Sequence, residues 1–565
     1  MNKNIKNNQL RLSDVNQEVT LYGWVANKRR FGELNFVDLR DKYGITQLVF
    51  NQPINFSKES VLEVFGTVVK RKDPNLNLPT GEIEVLVKEY KVLSTAAELP
   101  FAIKDDLETK EDLRLKYRFL DLRRNVMQNT LKLKNDLFFA IREFMHSNEF
   151  MEIETPMLAK ATPEGARDFL VPTRNKGEFY ALPQSPQLFK QLLMISGFER
   201  YYQFARCFRD EDSRKDRQPE FTQLDIETSF LSVDKFMNII EKLFQHFMKK
   251  VMNVDIQIPF KKLRFDDCIR DYGSDKPDLR YENKIIDIND FCLETDFEII
   301  KNAPSKRLLA IDEVITKKDF KVLEEIAKKN KANILFYFTV ENGQLKDTNF
   351  AKKVPNAVEK LINSINKQTG TYLIVANEYD NASQALGAVR VQLNEMYNWA
   401  KNEYNFSWIV DWPMFEFDKE TNTWAAAHHP FTQFDNTLEE IDTLPKEKLR
   451  AKSYDLVLNG FELGSGSARI YDRQMQEKMF QLIGMDEQQQ KDKFGFFLKA
   501  LDFGVPPHCG IGLGIDRLTM ILANQKTIRD VIAFPKNAKS QDVFTEAPSG
   551  VDETQLKELF IKVDQ

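Results

Sequence analysis

A chain of 565 residues, 42% hydrophobic and 29% charged, is long enough for roughly two to four domains with substantial cores. Its net charge of −5 excludes a global basic field, so a nucleic-acid partner would have to be met by a local patch. The four cysteines lack CxxC spacing and the five histidines lack HxxxH spacing, which argues against a zinc site or a disulfide scaffold and fits a reducing, cytoplasmic setting; the polar stretch 1–14 has no signal-peptide core, and no apolar run nears the ~18 residues of a membrane span.

From the N-terminus, residues 19–93 read as short strands. Val19, Leu21, Gly23 and Val25 alternate with Thr20, Tyr22 and Trp24, and further runs cover Leu34–Leu39, Ile45–Phe50, Val61–Val69 and Ile83–Val87. Roughly five strands in fewer than about 100 residues predict a small closed β-barrel, such as an OB-fold, over residues 1–100. Between the first two strands sits Asn27-Lys28-Arg29-Arg30-Phe31. Basic residues beside Phe31 and Phe36 suit single-stranded nucleic acid: arginine meets phosphate and aromatic faces stack on bases. A polar, acidic stretch over 101–122 reads as a hinge.

A helix follows, because Leu133, Leu137, Ile141, Phe144 and Met145 keep three- and four-residue spacing. Glu152-Ile153-Glu154-Thr155-Pro156 then reads as a strand ended by proline. Phe208-Arg209-Asp210-Glu211-Asp212 and Arg217–Asp225 lie between strand-like segments and gather arginines, acids and an aromatic, the groups that grip a nucleoside triphosphate. Residues 275–395 change character to an αβ pattern, with strands at Ile334–Val340 and Tyr372–Ala376 and a helix carrying Leu386, Val389, Leu393, Met396 and Tyr397 on one face. They read as an inserted domain without a catalytic constellation, interrupting a core of 123–274 and 396–565. Dense motifs resume at Trp408–Pro413, His428–Phe431, Asp455–Arg469 and His508–Arg517. Asp455 and Glu462 are seven apart; on one strand an odd offset puts them on opposite faces, so the span needs a turn, which Asn459-Gly460 supplies.

Together these segments resemble a class II aminoacyl-tRNA synthetase. Glu154-Thr155-Pro156 is similar to the first class motif, Phe208-Arg209-Asp210-Glu211 to the second and Gly512-Leu513-Gly514-Ile515-Asp516-Arg517 to the third, in the right order. Ala161–Asp168, Gln184–Gln191, Phe208–Asp225, His428–Phe431 and Gly460–Ile470 resemble the bacterial aspartyl type. The resemblance implies an α+β multidomain fold: an N-terminal OB-fold barrel for the anticodon, an antiparallel-sheet catalytic core with helices, and the insertion. It also implies the activity. ATP and L-aspartate give aspartyl-adenylate and pyrophosphate, and aspartate then passes to the 3′ end of tRNA-Asp. Mg²⁺ and a homodimer through the Pro156 region are implied as well.

The resemblance carries roles onto particular positions. Arg209 would hold the α-phosphate and the attacking carboxylate. Asp210, Glu211, Gln218, Gly514, Ile515 and Asp516 would border ATP, whose adenine would lie between Phe221 and Arg517. Asp455 and Glu462 would take Mg²⁺. Lys190 and Arg469 would meet the substrate side-chain carboxylate, with His428 or His429 closing over it and Gln187 and Glu164 at the α-amino end. On the barrel, Arg29, Phe36 and Gln47 would meet the anticodon. Three alternatives stand beside this reading: an asparaginyl or lysyl type, a catalytically dead RNA-binding paralogue, and charging of tRNA-Asn as well as tRNA-Asp.

Overall fold

Alternating burial closes the N-terminal barrel. In the computed structural model, which describes residues 5–161, 165–291, 297–350, 355–365 and 367–563, the chain forms two compact units. The first comprises residues up to Lys132 together with Arg529–Ser549; the second comprises Leu133–Ile528 and the residues from Gly550 onward. In the first unit, β1 (Glu18–Phe31), β2 (Leu34–Arg40), β3 (Ile45–Phe50), β4 (Val61–Lys70) and β5 (Ile83–Ser94) close in the order β1-β2-β3-β5-β4. Val19, Leu21, Val25, Val37, Leu39, Leu48, Phe50, Val64 and Val85 fill it. Leu48↔Val85 and Val49↔Leu86 pair in parallel, and the other neighbours are antiparallel.

One element departs from the expected loop. Asn27–Phe31 belongs to β1, with Lys28 opposite Val37 and Arg29 opposite Phe36 beyond a bulge between Val25 and Asn27. Neither face of this ribbon is packed, so its sequence stays polar on both sides and hides the strand period. The stretch read as a hinge holds two short helices, Glu111–Lys116 and Arg118–Asp121. Buried Arg118 donates to the carbonyls of Arg529 and Ile532 at 2.8 Å and of Ala533 at 2.9 Å, and Arg529 grips Glu111 with two bonds. Those bonds group Arg529–Ser549 with the N-terminal residues.

The second unit is built on an eight-stranded sheet. In chain order its strands and their neighbours are β6 (Met151–Glu152), the hairpin β7 (Leu170–Pro172) and β8 (Phe179–Ala181), β9 (Arg200–Phe208), β10 (Glu220–Ser229) and β11 (Lys261–Arg264). Then come β12 (Ile285–Asp287), β13 (Ser305–Ile311), β14 (Phe336–Glu341), β15 (Gln344–Thr348) and β16 (Gly370–Asn377). The chain ends its strands with β17 (Phe406–Pro413), the hairpin β18 (Phe415–Asp418) and β19 (Thr423–Ala426), β20 (Arg450–Leu458), β21 (Phe461–Ala468) and β22 (His508–Gly514). The large sheet runs β11-β17-β20-β21-β22-β10-β9-β6; its six central strands are antiparallel and its two edge strands pair in parallel. β6 is shorter than expected for Glu152–Pro156, for the ladder with β9 stops at Glu152.

Helices Asn125–Ser147 and Val233–Phe247 cover one face of the sheet, where Leu137, Ile141, Phe236, Phe244, Leu224, Ile226, Ile511 and Leu513 pack. The opposite face of β10 and β22 is left for polar chemistry. β12 to β16 form a separate five-stranded sheet in the order β12-β13-β16-β14-β15, with helices Lys317–Lys329 and Tyr379–Tyr397 packed against it. Among the described residues, no helix is long and apolar enough to cross a membrane.

Candidate active site

Alternation along β10 decides what the open face carries. Leu224 and Ile226 enter the core, so Gln223, Asp225 and Glu227 point the other way. Directly across the ladder lie Gly514, Gly512 and Gly510. A Cβ at Gly510 would stand 1.9 Å from Glu227 Oε2, and one at Gly512 would stand 1.7 Å from Gln223 Nε2. Glycine at these positions is therefore the space in which the β10 side chains sit.

Above this face lies a cavity of about 360 Å³. Its wall includes Gln187, Lys190, Arg209, Glu211, Gln218, Phe221, His428, His429, Glu462, Arg469, Gly514, Asp516 and Arg517. At one end four buried charges interlock. Lys190, from helix Gln187–Ile195, donates to Asp225 Oδ1 at 2.8 Å and lies 3.6 Å from Glu227 Oε2. Arg469 forks onto both oxygens of Glu227, at 2.8 and 3.1 Å. Burial raises the Asp225 pKa, and Lys190 only partly offsets it. Burial acts the same way on Glu227, but Arg469 and Lys190 outweigh it and hold that carboxyl below its usual range. Asp225 Oδ2 and Gln187 Nε2 are buried with no hydrogen-bond partner among the described residues, and both side chains line the cavity.

Arg469 also places Nη1 2.6 Å from His429 Nε2. Guanidinium has no acceptor, so Nε2 offers its lone pair to Arg469, while Nδ1 lies 3.2 Å from the backbone N–H of Phe431 and 3.3 Å from Thr432 Oγ1. Burial and the cations Arg469 and Lys190 push the His429 pKa well below its ordinary value. His428 turns elsewhere, with Nε2 3.3 Å from Asp455 Oδ1 and its ring edge-on to Trp412.

At the other end, Arg209 stacks its guanidinium 5.2 Å from the Phe221 ring centroid. Arg217 pairs with Glu211 at 2.7 Å. Arg517, in the first turn of helix Ile515–Leu522, reaches Asp216 at 3.2 Å and donates to the carbonyl of Glu462. Three sequence candidates do not line this cavity: Asp210 pairs with Arg167 at 3.5 Å, Asp455 lies behind His428 at 3.3 Å, and Ile515 is 1% exposed in the sheet core. An apolar β-branched side chain next to a core strand has nowhere better to go. Asp516 borders the cavity, but its oxygens are taken by Thr222 N and Lys134. Glu164 lies outside the described residues.

Asp455 and Glu462 stand on β20 and β21, joined through Asn459 (φ 52°) and Gly460 (φ 84°) in a two-residue hairpin turn. Burial raises the Glu462 pKa and the nearby Asp455 carboxylate raises it further. Among the described residues no group of three or more His, Cys, Asp or Glu side chains is arranged for a metal. Two crowded carboxylates do, however, supply the all-oxygen donors that Mg²⁺ accepts when phosphates complete its shell.

On the barrel, Arg29, Phe36 and Gln47 meet on the outward face of β1, β2 and β3. Arg29 donates to Gln47 Oε1 at 3.0 Å and lies 3.3 Å from Asp38, while Gln47 donates to Glu84 at 2.7 Å. Phe36 lies across the ladder from Arg29.

Asp225 and Glu227 were not among the sequence candidates. Their signal was present: carboxylates two apart, separated by one apolar residue, in a strand. Their partners, 35 and 242 residues away, were not visible.

Comparison with known proteins agrees with this architecture. The family profile described as "tRNA synthetases class II (D, K and N)" matches residues 110–538, and the profile for an OB-fold nucleic acid binding domain matches residues 19–93. The aspartate–tRNA ligase of Malacoplasma penetrans is 47% identical, with 98% of this chain and 97% of that protein aligned. The aspartate–tRNA(Asp/Asn) ligase of Caldanaerobacter subterraneus is 46% identical over the same shares. The solved asparaginyl-tRNA synthetase of Pyrococcus horikoshii superposes with a TM-score of 0.61 at 19% identity, over 95% of this chain and 98% of its own, which shows the shared fold. With a profile spanning most of its length and relatives near half-identical from end to end, the chain belongs to the class II tRNA synthetases of the D, K and N group.

Proposed function

We propose that the chain is an aspartate–tRNA ligase. The observation that carries the choice of amino acid is the Lys190 and Arg469 pair at one end of the cavity, with the Arg209 and Phe221 pair at the other. An aspartate side chain would exchange with Asp225 and Glu227 for those two cations. Asparagine would break the same ion pairs without supplying a charge, and lysine would be repelled. The unpartnered Oδ2 of Asp225, with the amide oxygen of Gln187 and with Glu164, would accept from the α-amino group.

In the first step, the α-carboxylate oxygen attacks the α-phosphorus of ATP and the bond to pyrophosphate breaks. The nucleophile is already an anion, so no general base is required. Arg209 would orient the carboxylate and the α-phosphate, and Phe221 and Arg517 would flank adenine, so that rate comes from positioning and charge neutralisation. Glu211 and Gln218 would border the nucleotide. Asp455 and Glu462 would hold Mg²⁺, which when bound neutralises phosphate charge. In the second step, the 3′-hydroxyl of tRNA attacks the activated carbonyl and AMP leaves. Arg29, Phe36 and Gln47 would contact the anticodon of tRNA-Asp. Relatives carry both single and Asp/Asn tRNA specificity in their names, so both tRNAs belong in the charging assay. The reading also includes a homodimer through the Pro156 region, checked by light scattering at micromolar concentration, and a cytoplasmic setting, in keeping with the buried free thiols Cys207, Cys268 and Cys509.

Pyrophosphate exchange with ATP and each amino acid in turn, without tRNA, tests the proposal. Exchange with aspartate alone is expected. Exchange with asparagine or lysine would overturn the specificity, and none at all would leave an RNA-binding paralogue.

A further inference from the structure

The ladder between β10 and β22 ends at Gln223 and Gly514, because the chain turns there into helix Ile515–Leu522. Thr222, the next residue along β10, faces that turn. Its backbone N–H is instead bonded by Asp516 Oδ2 at 2.8 Å, in a buried setting. The other oxygen of the same carboxylate, Oδ1, is held by the ammonium of Lys134, from helix Asn125–Ser147. The Asp516 side chain is 1% exposed and that of Lys134 is 15% exposed, so the pair is largely shut off from water. Arg206 adds a bond to Thr222 Oγ1 at 3.0 Å.

The geometry points to Asp516, neutralised by Lys134, as a positioning residue for the nucleotide rather than a nucleotide ligand. Its bond falls on the peptide unit joining Phe221 to Thr222, and its own neighbour in sequence is Arg517. One carboxylate therefore ties the strand that bears the Phe221 ring to the helix turn that bears the Arg517 guanidinium, and sets the gap between these two flat groups. Both oxygens are engaged within the protein, one by a backbone N–H and one by an ammonium. A carboxylate in the first turn also suits the positive end of that helix. This inference rests on the reading of the cavity as an ATP site. A stacking gap tolerates displacements of only about 0.5 Å before its contacts weaken.

The test is the pyrophosphate exchange assay run on wild type, Asp516→Ala, Asp516→Asn, Lys134→Met and the double variant Lys134→Met/Asp516→Asn, with KM measured separately for ATP and for aspartate. Asp516→Ala should raise KM for ATP by about tenfold or more and leave KM for aspartate within about twofold. Lys134→Met, which strips the buried carboxylate of its cation, should raise KM for ATP too. Asparagine still accepts from Thr222 N and needs no cation, so the double variant should lie closer to wild type than Lys134→Met does. Equal rises in both KM values, or none, would refute the positioning role. So would a double variant no better than Lys134→Met. If Asp516→Ala does not fold, the asparagine and double variants still decide the question. Wild type without exchange for any amino acid would instead remove the ATP-site reading itself.

Discussion

Lys190 sits within bonding reach of Asp225 and Glu227, so Lys190→Met leaves two buried acids with one cation between them. Removing one member of a buried pair costs about 3–5 kcal/mol. Some of that falls on stability, but the lost contact with substrate falls on aspartate alone. KM for aspartate should rise by about two orders of magnitude while KM for ATP stays nearly constant, a split that exchange kinetics reads directly. A second outcome concerns His429. Its folded-state pKa is depressed, so its contribution to stability is present above the ordinary histidine value of about 6.5 and is lost as pH falls through the folded value. Protonation sets an imidazolium against the Arg469 guanidinium. Asp225, held above its usual range, acts in the opposite sense, so the informative comparison is between wild type and His429→Gln, in which Asp225 is common to both. Gln offers an oxygen to Arg469 and does not titrate. Wild type should lose melting temperature below about pH 6.5 more steeply than the variant; parallel melting curves would refute this. At this scale the sequence was partly legible. Residue types announced an ion-rich site, but which cation meets which acid depends on contacts across hundreds of residues.

The strand β22 works as a glycine comb facing the acids of β10. Gly510→Ala would drive a methyl against Glu227 Oε2 and break the fork with Arg469. Overpacking of this kind costs about 1–3 kcal/mol, and here the distortion lands on the proposed aspartate pocket. Lower thermal stability together with a selective rise in KM for aspartate is expected; an unchanged KM would mean the acids can move aside. Elements of this kind were legible where their local chemistry was strong. Asn459-Gly460 turned the chain between Asp455 and Glu462, and Ile45–Phe50 matched its run residue for residue. Asn27–Phe31 was illegible as strand because an unpacked ribbon has no buried face to impose a period of two. Glu152–Pro156 shrank to two residues because only Met151 and Glu152 pair with β9.

Over the whole molecule, the proposed function gives the barrel and the sheet separable tasks. Arg29→Ala removes a cation from the barrel face and leaves the sheet untouched, so it should raise KM for tRNA several-fold and leave exchange without tRNA unchanged, which aminoacylation and exchange assays on one preparation would show. A parallel loss of both activities would contradict that division. Composition bounded the size of the molecule, and motif order foretold barrel and core. The attachment of Arg529–Ser549 to the N-terminal unit could not be read, because the bonds of Arg118 go to backbone carbonyls, which any sequence supplies. The interlocked charges of Lys190, Asp225, Glu227 and Arg469 have one more consequence. Two cations and two anions sum to zero, and all four are shielded from solvent. Mobile ions screen over about 8 Å at about 0.15 M salt, but only where water carries them. Rising ionic strength should therefore loosen the grip on RNA while amino-acid choice stays constant, so that a simple salt series would dissect one enzyme into its two recognition events.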